Sequence, residues 1–302
     1  MTAGALATLP HLHTGKVRDL YEVGEGRILL ITSDRLSAFD VVMVEPIPEK
    51  GRVLTAMTSF WCERLADVVA CAHLTCDPAV IAADVPGFDA ERALHGRATL
   101  QRRAEMVPLE CIVRARLAGQ AFEEYRERGT IHSTPAPRGL VLADELEVPL
   151  FTPSTKATAG HDVNLSFDEA AALVGAELAG RLRDVSLAVF EVAARDVARA
   201  GLVLADTKFE LGLVDGELVL CDEVVTPDSS RIWLESSIVP GEVPAAFDKQ
   251  PFRDWLAGLP WDRTPPPPVV PADVVAATSR RYVECYERVT DRSLDDWYGH
   301  TP

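Results

Sequence analysis

The segment LVLADTKFELGLVDGELVLCDEVVTPDSSR, residues 202–231, decides how the rest of the chain is read. Apolar and polar residues alternate on both sides of Asp215-Gly216, a dipeptide that favours the two-residue turn of a β-hairpin because both positions tolerate a positive φ. A strict two-residue turn pairs Val214 with Glu217, and therefore Glu210 with Cys221. On the first strand Asp206, Lys208 and Glu210 take every second position, so the pleat points all three to one face. The second strand ends in Asp222 and Glu223, with Asp228 and Arg231 just beyond. Alternating charge suits a solvated strand face. The flanking residues, however, are those of an interior strand, where charges need partners or a metal. Two neighbouring carboxylates can hold a hard divalent cation, which prefers oxygen ligands and completes its shell with water and substrate phosphates. A lysine between them could neutralise the same phosphates. The strict register sends Asp222 to the face opposite Glu210, so the two meet only through a different loop or a bulge.

Composition sets the outer limits. The chain has 302 residues, 47% hydrophobic and 25% charged, enough for a sizeable core in one large domain or two to three lobes. No apolar run reaches the roughly 18 residues of a membrane-spanning helix, and the first residues lack the basic-then-apolar pattern of a secretory signal. The six cysteines form no C-x-x-C pair, the usage of a reduced, cytoplasmic protein. The seven histidines form no metal-ligand spacing, so structural zinc is not expected. A net charge of −16 argues against a nucleic-acid partner, whose phosphates demand basic surface. Small anionic substrates remain compatible if basic residues converge locally.

Along the chain, residues 15–44 read as strands around a Gly24–Gly26 turn, and residues 53–70 as an amphipathic helix. Residues 98–117 read as strand interrupted at Pro108, and residues 138–164 as a long functional loop rich in Pro, Thr, Ser and Gly. Residues 166–201 read as two helices broken near Gly180, opened by a Ser166/Glu169 capping box and closed at Gly201. Four prolines at 265–268 make a stiff connector before a C-terminal helix over 272–290. Antiparallel-looking strands with few βαβ units indicate an α+β fold.

Three further stretches carry candidate chemistry. In HTGKVRDLYEV, Gly15, Lys16 and Val17 stand at a strand start, where backbone N–H groups and a lysine can lie over phosphates; this is not the G-x-x-x-x-G-K-[ST] loop, and the piece also suits an ordinary turn. In SDRLSAFDVV, Asp34, Arg35, Ser37 and Asp40 surround one Phe, as in many surface turns. In TPSTKATAGHD, Lys156, His161 and Asp162 fall in a loop whose composition suits a small polar anion as well as plain solvation.

Taken together these pieces resemble the phosphoribosylaminoimidazole-succinocarboxamide synthase (SAICAR synthetase) family. The resemblance rests on GKVRDLYEV, TSDRLSAFDVV, IPEKGRVLTAMTSFW, ECIVR with LAG, FTPSTK followed by GHD, LADTKFELG, DEVVTPDSSR and FDKQPFRDWL, in family order from about residue 14 to 256. It implies an ATP-grasp-type, two-lobed α+β fold with a C-terminal helical segment: residues 1–107 as a β-rich ATP-binding lobe, 108–262 as a central lobe, and 263–302 as connector and helix. It implies an ATP-dependent ligase that joins the carboxylate of carboxyaminoimidazole ribonucleotide to L-aspartate through an acyl phosphate, with Mg²⁺ as cofactor. By motif, Gly15, Lys16, Val17 and Lys208 would contact ATP, and Glu210 and Asp222 would hold Mg²⁺, with Lys208, Glu210 and Asp222 as the catalytic set. Arg114 and Arg231 would bind the ribonucleotide phosphate, where guanidinium forks suit the geometry. Asp34, Ser37 and Asp40 would line its imidazole end; Lys156, His161 and Asp162 would orient aspartate.

The chain also departs from the family's usual pattern. V-R-G-Y-L-x-G-S-x-W is here Val113 to Phe122 with Ala115, Arg116 and Gln120 at the altered positions, and I-P-G-K-G is Ile47 to Gly51 with Glu49. The changes fall where the nucleotide phosphate should sit. They leave room for a divergent enzyme acting on another phosphoribosyl-type substrate in a nucleoside natural-product pathway, and for a non-catalytic nucleotide-binding paralogue.

Overall fold

The computed structural model describes residues 5–156 and 163–299. The chain opens with β1 (His11–Thr14), β2 (Arg18–Gly24) and β3 (Arg27–Thr32), then a small ribbon of β4 (Ser37–Ala38) and β5 (Val41–Val42). Helix α1 (Lys50–Arg64), strands β6 (Ala70–Cys71) and β7 (His73–Thr75), helix α2 (Pro78–Asp84) and β8 (Ala98–Arg102) follow. An antiparallel sheet forms in the order β1-β2-β3-β8-β7.

The second sheet begins with β9 (Glu105–Arg116). After it come α3 (Gly119–Arg128), the ribbon β10 (Thr130–Ile131) and β11 (Thr134–Pro135), and edge strands β12 (Glu145–Phe151) and β13 (Ser154–Thr155). Helices α4 (Phe167–Val174) and α5 (Ala176–Arg199) lead into β14 (Leu202–Val214), β15 (Glu217–Cys221) and β16 (Ser230–Leu234). Helices α6 (Gln250–Ala257) and α7 (Ala272–Thr290) close the fold. The strand order is β12-β9-β14-β15-β6, with β13 on β9 and β16 on β14. Only β15 and β6 run parallel among these pairs. The architecture is α+β. Among the described residues no helix is long and apolar enough to cross a membrane.

Strand β14 organises this sheet because its two faces differ. Phe209 and Leu211 join Val189, Phe190, Ala193 and Val197 of α5, and Leu54, Met57 and Trp61 of α1, in the largest buried cluster. Each such side chain contributes roughly 1.5–3 kcal/mol by leaving water. Asp206, Lys208 and Glu210 face the other way. The hairpin register is the strict one, Val214 with Glu217 and Glu210 with Cys221.

Several sequence expectations are corrected in detail. Helix α1 starts at Lys50 and ends at Arg64 instead of spanning 53–70. It starts early because the carboxylate of Asp34 accepts the Gly51 N–H at 2.8 Å, supplying from a distant loop the acceptor that a first turn lacks. It stops early because Ala70 and Cys71 are drawn into the sheet beside β15. Pro108 does not interrupt its strand; the break falls at residues 103–104, and Pro108 lies where β9 advances four residues against two of β14, a bulge that excuses its missing N–H. The 138–164 stretch is not all loop, since β12 and β13 pair with β9. Strand β12 pairs irregularly and carries Pro149, as an edge strand can. The helical stretch breaks at Gly175, with φ of 91°, and runs through Gly180. The Ser166/Glu169 capping box and helix Ala272–Thr290 form as the sequence indicates.

Helix α1 is nearly enclosed, which leaves Lys50 fully buried. Its ammonium lies 2.7 Å from Asp228, which also accepts the Tyr282 hydroxyl of α7. Burial opposes the Asp228 charge, but Lys249, Lys50 and the Tyr282 hydrogen bond outweigh it and hold the carboxyl well below its usual range. Asp228→Asn should therefore cost about 3–5 kcal/mol, because it strands a buried ammonium. A urea midpoint corresponding to less than about 1 kcal/mol of loss would contradict this. The pH sign follows from a depressed folded pKa. The Asp228 contribution is complete above the unfolded value near 4 and fades as pH falls, so wild type and variant should converge in acid.

Candidate active site

The two sheets border a cleft of about 790 Å³. Its apolar part includes Leu20, Ile28 and Leu30 of β2 and β3, with Ala72 and Met106; its charged part includes Lys16, Arg18, Glu110, Lys156, Lys208, Glu210, Asp222, Glu223, Asp228 and Lys249.

The β1–β2 hairpin tip forms one rim. The Gly15 N–H donates to the Arg18 carbonyl at 2.7 Å, leaving Lys16 and Val17 as the turn. Arg35 donates to the carbonyls of Gly15 and Lys16, and Ser33 to that of Val17, so the tip is braced from below. Lys16 ion-pairs with Asp40. Phe39 and Asp40 both have positive φ, 51° and 63°, the two-residue turn that joins β4 to β5. Ser37 lies on the same ribbon and also lines the cleft.

The floor is the polar face of β14. Lys208 donates to Glu110 of β9 at 2.6 Å and lies 3.7 Å from Glu210. Burial works against its charge, yet Glu110 and Glu210 outweigh burial and raise its pKa. Glu210 pairs with Lys156 as well. Its own burial is outweighed by Lys208 and Lys156, which keep it ionised.

Asp222 reaches this floor without a register change. It follows the last residue of β15 and takes a φ of 55°, so the pleat no longer dictates its direction. Arg18 donates to both its oxygens, at 3.0 and 2.9 Å, and to Glu223 at 3.2 Å. Burial raises the Asp222 pKa to about 6; Arg18 opposes this, while Glu210 and Glu223 add to it. Asp222 and Glu210 are thus two carboxylates lining one cleft, oxygen donors of the kind a divalent cation takes when few of its ligands come from the protein. Among the described residues no cluster of three or more His, Cys, Asp or Glu is arranged to hold a metal alone.

Farther along the same face, Asp206 is buried between Arg114, at 2.9 Å, and Arg231, at 2.7 Å. The two guanidinium groups share one carboxylate oxygen, so the array keeps a net positive charge. Burial lowers the Arg114 pKa, against Asp206 and with Arg231. The neighbouring His132 is pushed down to about 4 by burial and Arg114, and is neutral near pH 7. Arg231 also abuts the N-terminus of α3: a Cβ on Gly119 would lie 2.1 Å from its Nη2. Four residues of strand, about 13 Å, separate this array from Glu210.

The cleft therefore gathers Gly15, Lys16, Val17, Ser37, Asp40, Lys156, Lys208, Glu210 and Asp222. Arg114 and Arg231 lie outside its lining but on the same sheet face. Asp34 does not line it; paired with Arg97 at 2.6 Å and with the Gly51 N–H, it anchors α1. His161 and Asp162 lie outside the described residues. Sequence reading missed Arg18, Glu110, Glu223 and Lys249 as site residues. Arg18 and Glu110 sat inside recognised motifs, but their partners are more than 90 residues away.

A SAICAR synthetase family model matches residues 11–268. The chain belongs to this family. It is 49% identical over 300 residues to a phosphoribosylaminoimidazole-succinocarboxamide synthase of Saccharopolyspora erythraea, covering 97% of this chain and 98% of that one. It is 46% identical over 289 residues to the enzyme of that name from Chromobacterium violaceum, covering 94% and 99%. The SAICAR synthase of Saccharomyces cerevisiae, solved in complex with SAICAR, superposes with a TM-score of 0.85 at 37% identity, covering 94% of this chain and 96% of that one.

Against the family pattern, the departures have local explanations. Arg116 pairs with Glu145 at 3.0 Å across the β9–β12 rung, so its extra charge is neutralised at the sheet edge. Gln120 is exposed in the first turn of α3. Glu49 holds a φ of 67°, a conformation easy for the family's usual glycine, and its carboxylate pairs with Arg52. The retained Gly119 has φ of 55° with the Arg231 guanidinium against it. Gly119→Ala should cost about 1–3 kcal/mol in unfolding free energy, from strain and from displacing Arg231. A loss below about 0.5 kcal/mol in chemical denaturation would show that this contact is loose.

Proposed function

We propose that the chain is an ATP-dependent ligase that joins the carboxylate of carboxyaminoimidazole ribonucleotide to the amine of L-aspartate, giving SAICAR, ADP and phosphate in purine biosynthesis. The single observation that carries this reading is the continuous polar face of β14, which has the Arg114–Asp206–Arg231 array at one end and Lys208, Glu210 and Asp222 at the other. A nucleotide with a phosphate at one end and a carboxylate at the other matches that polarity.

A carboxylate resists amines because its oxygen is a poor leaving group. Transfer of the ATP γ-phosphoryl group to it makes an acyl phosphate, and attack by the amine on the acyl carbon releases phosphate. Phosphoryl transfer depends on positioning and on neutralising charge. Lys16 at the hairpin tip and Lys208 on the floor supply cationic contacts for the ATP phosphates, with the apolar part of the cleft available to adenine. Arg114 and Arg231 take the ribonucleotide phosphate with planar forks, and α3 adds its N-terminus. Ser37 and Asp40 face the imidazole end, and Lys156, with His161 and Asp162, serves the aspartate side. Glu210 and Asp222 are the residues that would hold Mg²⁺, which when bound supplies charge neutralisation for the phosphates. Glu110 holds Lys208 over this floor. The six free cysteines suit a cytoplasmic setting.

The names of the relatives favour this reading over a natural-product paralogue or a silent nucleotide binder, and the neutralised Arg116 removes part of the motive for a changed substrate. The test is ADP release with MgATP, the imidazole ribonucleotide and L-aspartate, each omitted in turn, with the product identified by mass spectrometry. Turnover should require all three. MgATP binding without turnover, in a folded preparation, would overturn the reading. Glu210→Ala should lower kcat by roughly 100-fold or more while leaving the fold intact. A near-normal rate at low Mg²⁺ would remove Glu210 from the metal assignment.

A further inference from the structure

The β10–β11 ribbon turns at His132 and Ser133, which take φ of 46° and 61°, between the paired Ile131 and Thr134. Asparagine and glycine suit such a turn, because they enter the left-handed region at little cost. A histidine there is uncommon, and this one is buried, with 2% of its surface exposed. Glu124 of α3 holds the turn, its carboxylate accepting the Ser133 N–H at 2.8 Å and the Thr130 hydroxyl at 2.7 Å. The imidazole is thereby fixed beside the Arg114–Asp206–Arg231 array. An uncommon backbone conformation kept at a buried polar residue points to a task for its side chain.

The partners of the ring fix its tautomer. Nδ1 lies 3.1 Å from the Pro153 carbonyl oxygen, which only accepts, so Nδ1 carries the proton. Burial and the neighbouring Arg114 push the pKa down to about 4, so near pH 7 the ring is neutral and Nε2 keeps its lone pair. That nitrogen lies 3.5 Å from Nη2 of Arg114, a guanidinium that can only donate. The rest of Arg114 is also engaged: Nε donates to the Thr152 hydroxyl at 3.1 Å and Nη1 to Asp206 at 2.9 Å. A guanidinium has five N–H groups, and these three contacts leave one free on each terminal nitrogen.

We infer that His132 is a positioning residue, which orients the Arg114 guanidinium so that its remaining N–H pair presents a fork to the ribonucleotide phosphate. This rests on the ligase reading above, in which Arg114 receives that phosphate. A planar fork reaches full strength only when both N–H groups are aimed at once, and a guanidinium held by Asp206 alone can swing about that contact. Thr152 on Nε and His132 on Nη2 oppose the swing. Both are themselves fixed, Thr152 because its hydroxyl donates to the Ile112 carbonyl at 3.2 Å, and His132 by the Pro153 carbonyl. A neutral acceptor does this without changing the charge of the array. A carboxylate in its place would cancel the positive charge that attracts the phosphate.

The test is steady-state kinetics on His132→Asn, His132→Gln, Arg114→Lys and the double variant His132→Asn with Arg114→Lys, varying each substrate in turn. Asparagine tolerates the left-handed backbone better than histidine, so His132→Asn removes the contact to Arg114 while sparing the turn. It should raise the KM for the ribonucleotide about 3- to 10-fold, the loss of one hydrogen bond, with kcat and the KM values for ATP and aspartate within about twofold of wild type. His132→Gln, whose side-chain oxygen can take the place of Nε2, should recover part of the loss. On the Arg114→Lys background, His132→Asn should add less than about twofold, because the residue acts through Arg114. The single-variant pattern decides by itself if Arg114→Lys fails to fold. An unchanged ribonucleotide KM in folded His132→Asn, or equal rises in all KM values, would overturn the inference while leaving the ligase reading in place. So would a fully multiplicative loss in the double variant. Absence of wild-type turnover would overturn the ligase reading and this inference with it.

Discussion

Strand β14 is 13 residues long, and no single partner covers the edge opposite β9. Strand β15 takes residues 210–214 and β16 takes residues 202–207. The chain between these two strands, residues 222–229, has to leave the sheet at the gap, where the Lys208 N–H is met by the Ser229 carbonyl. That excursion carries Asp222 and Glu223 to Arg18 on the first sheet, and Asp228 to Lys50 on α1. The divided edge therefore fixes the metal-type carboxylate pair and ties the second sheet to the first sheet and the C-terminal helix. Phe209 and Leu211 hold the opposite face in the core, so β14 cannot turn to relieve the charge.

The polar face is consequently a dense lattice of alternating charges in a chain with net charge −16. Positive groups are concentrated where anionic substrates would arrive, and most are held by a carboxylate in the meantime. Lys208 between Glu110 and Glu210 illustrates the effect: it remains fully charged yet is pre-positioned, which limits reorganisation when phosphates bind. Asp222 differs from Glu210 in the direction of its shift: burial raises its pKa even though Arg18 holds both its oxygens, and Glu210 and Glu223 add to the rise.

The sequence made some of this legible and concealed the rest for physical reasons. Turn chemistry is local, so Asp215-Gly216 marked the hairpin, while its register stayed open in the sequence and is the strict one in the fold, and the Ser166/Glu169 cap marked a helix start. The route of Asp222 was hidden, because a single residue in the left-handed region after a strand leaves little sequence signal. Glu110 beside Lys208, and Arg18 beside Asp222, depend on pairings between distant segments that periodicity cannot encode. Pro108 read as a strand breaker because its bulge exists only against β14. The resemblance implies a substrate role for Asp34, and only the folded chain shows it engaged by Arg97 and the start of α1. The helix breaks at Gly175 and runs through Gly180 although both are glycines, since only backbone geometry distinguishes a permissive glycine from a required one.

The central claim is that this polar face activates a carboxylate by phosphorylation before an amine attacks it. The most direct measurement uses the imidazole ribonucleotide with its carboxylate oxygens replaced by heavy oxygen, followed by mass analysis of the inorganic phosphate. The account predicts that one heavy oxygen from each substrate carboxylate appears in the phosphate released per turnover, because the bond broken in amide formation is that between the acyl carbon and this oxygen. Phosphate free of the label, with amide product formed, would contradict the acyl-phosphate route.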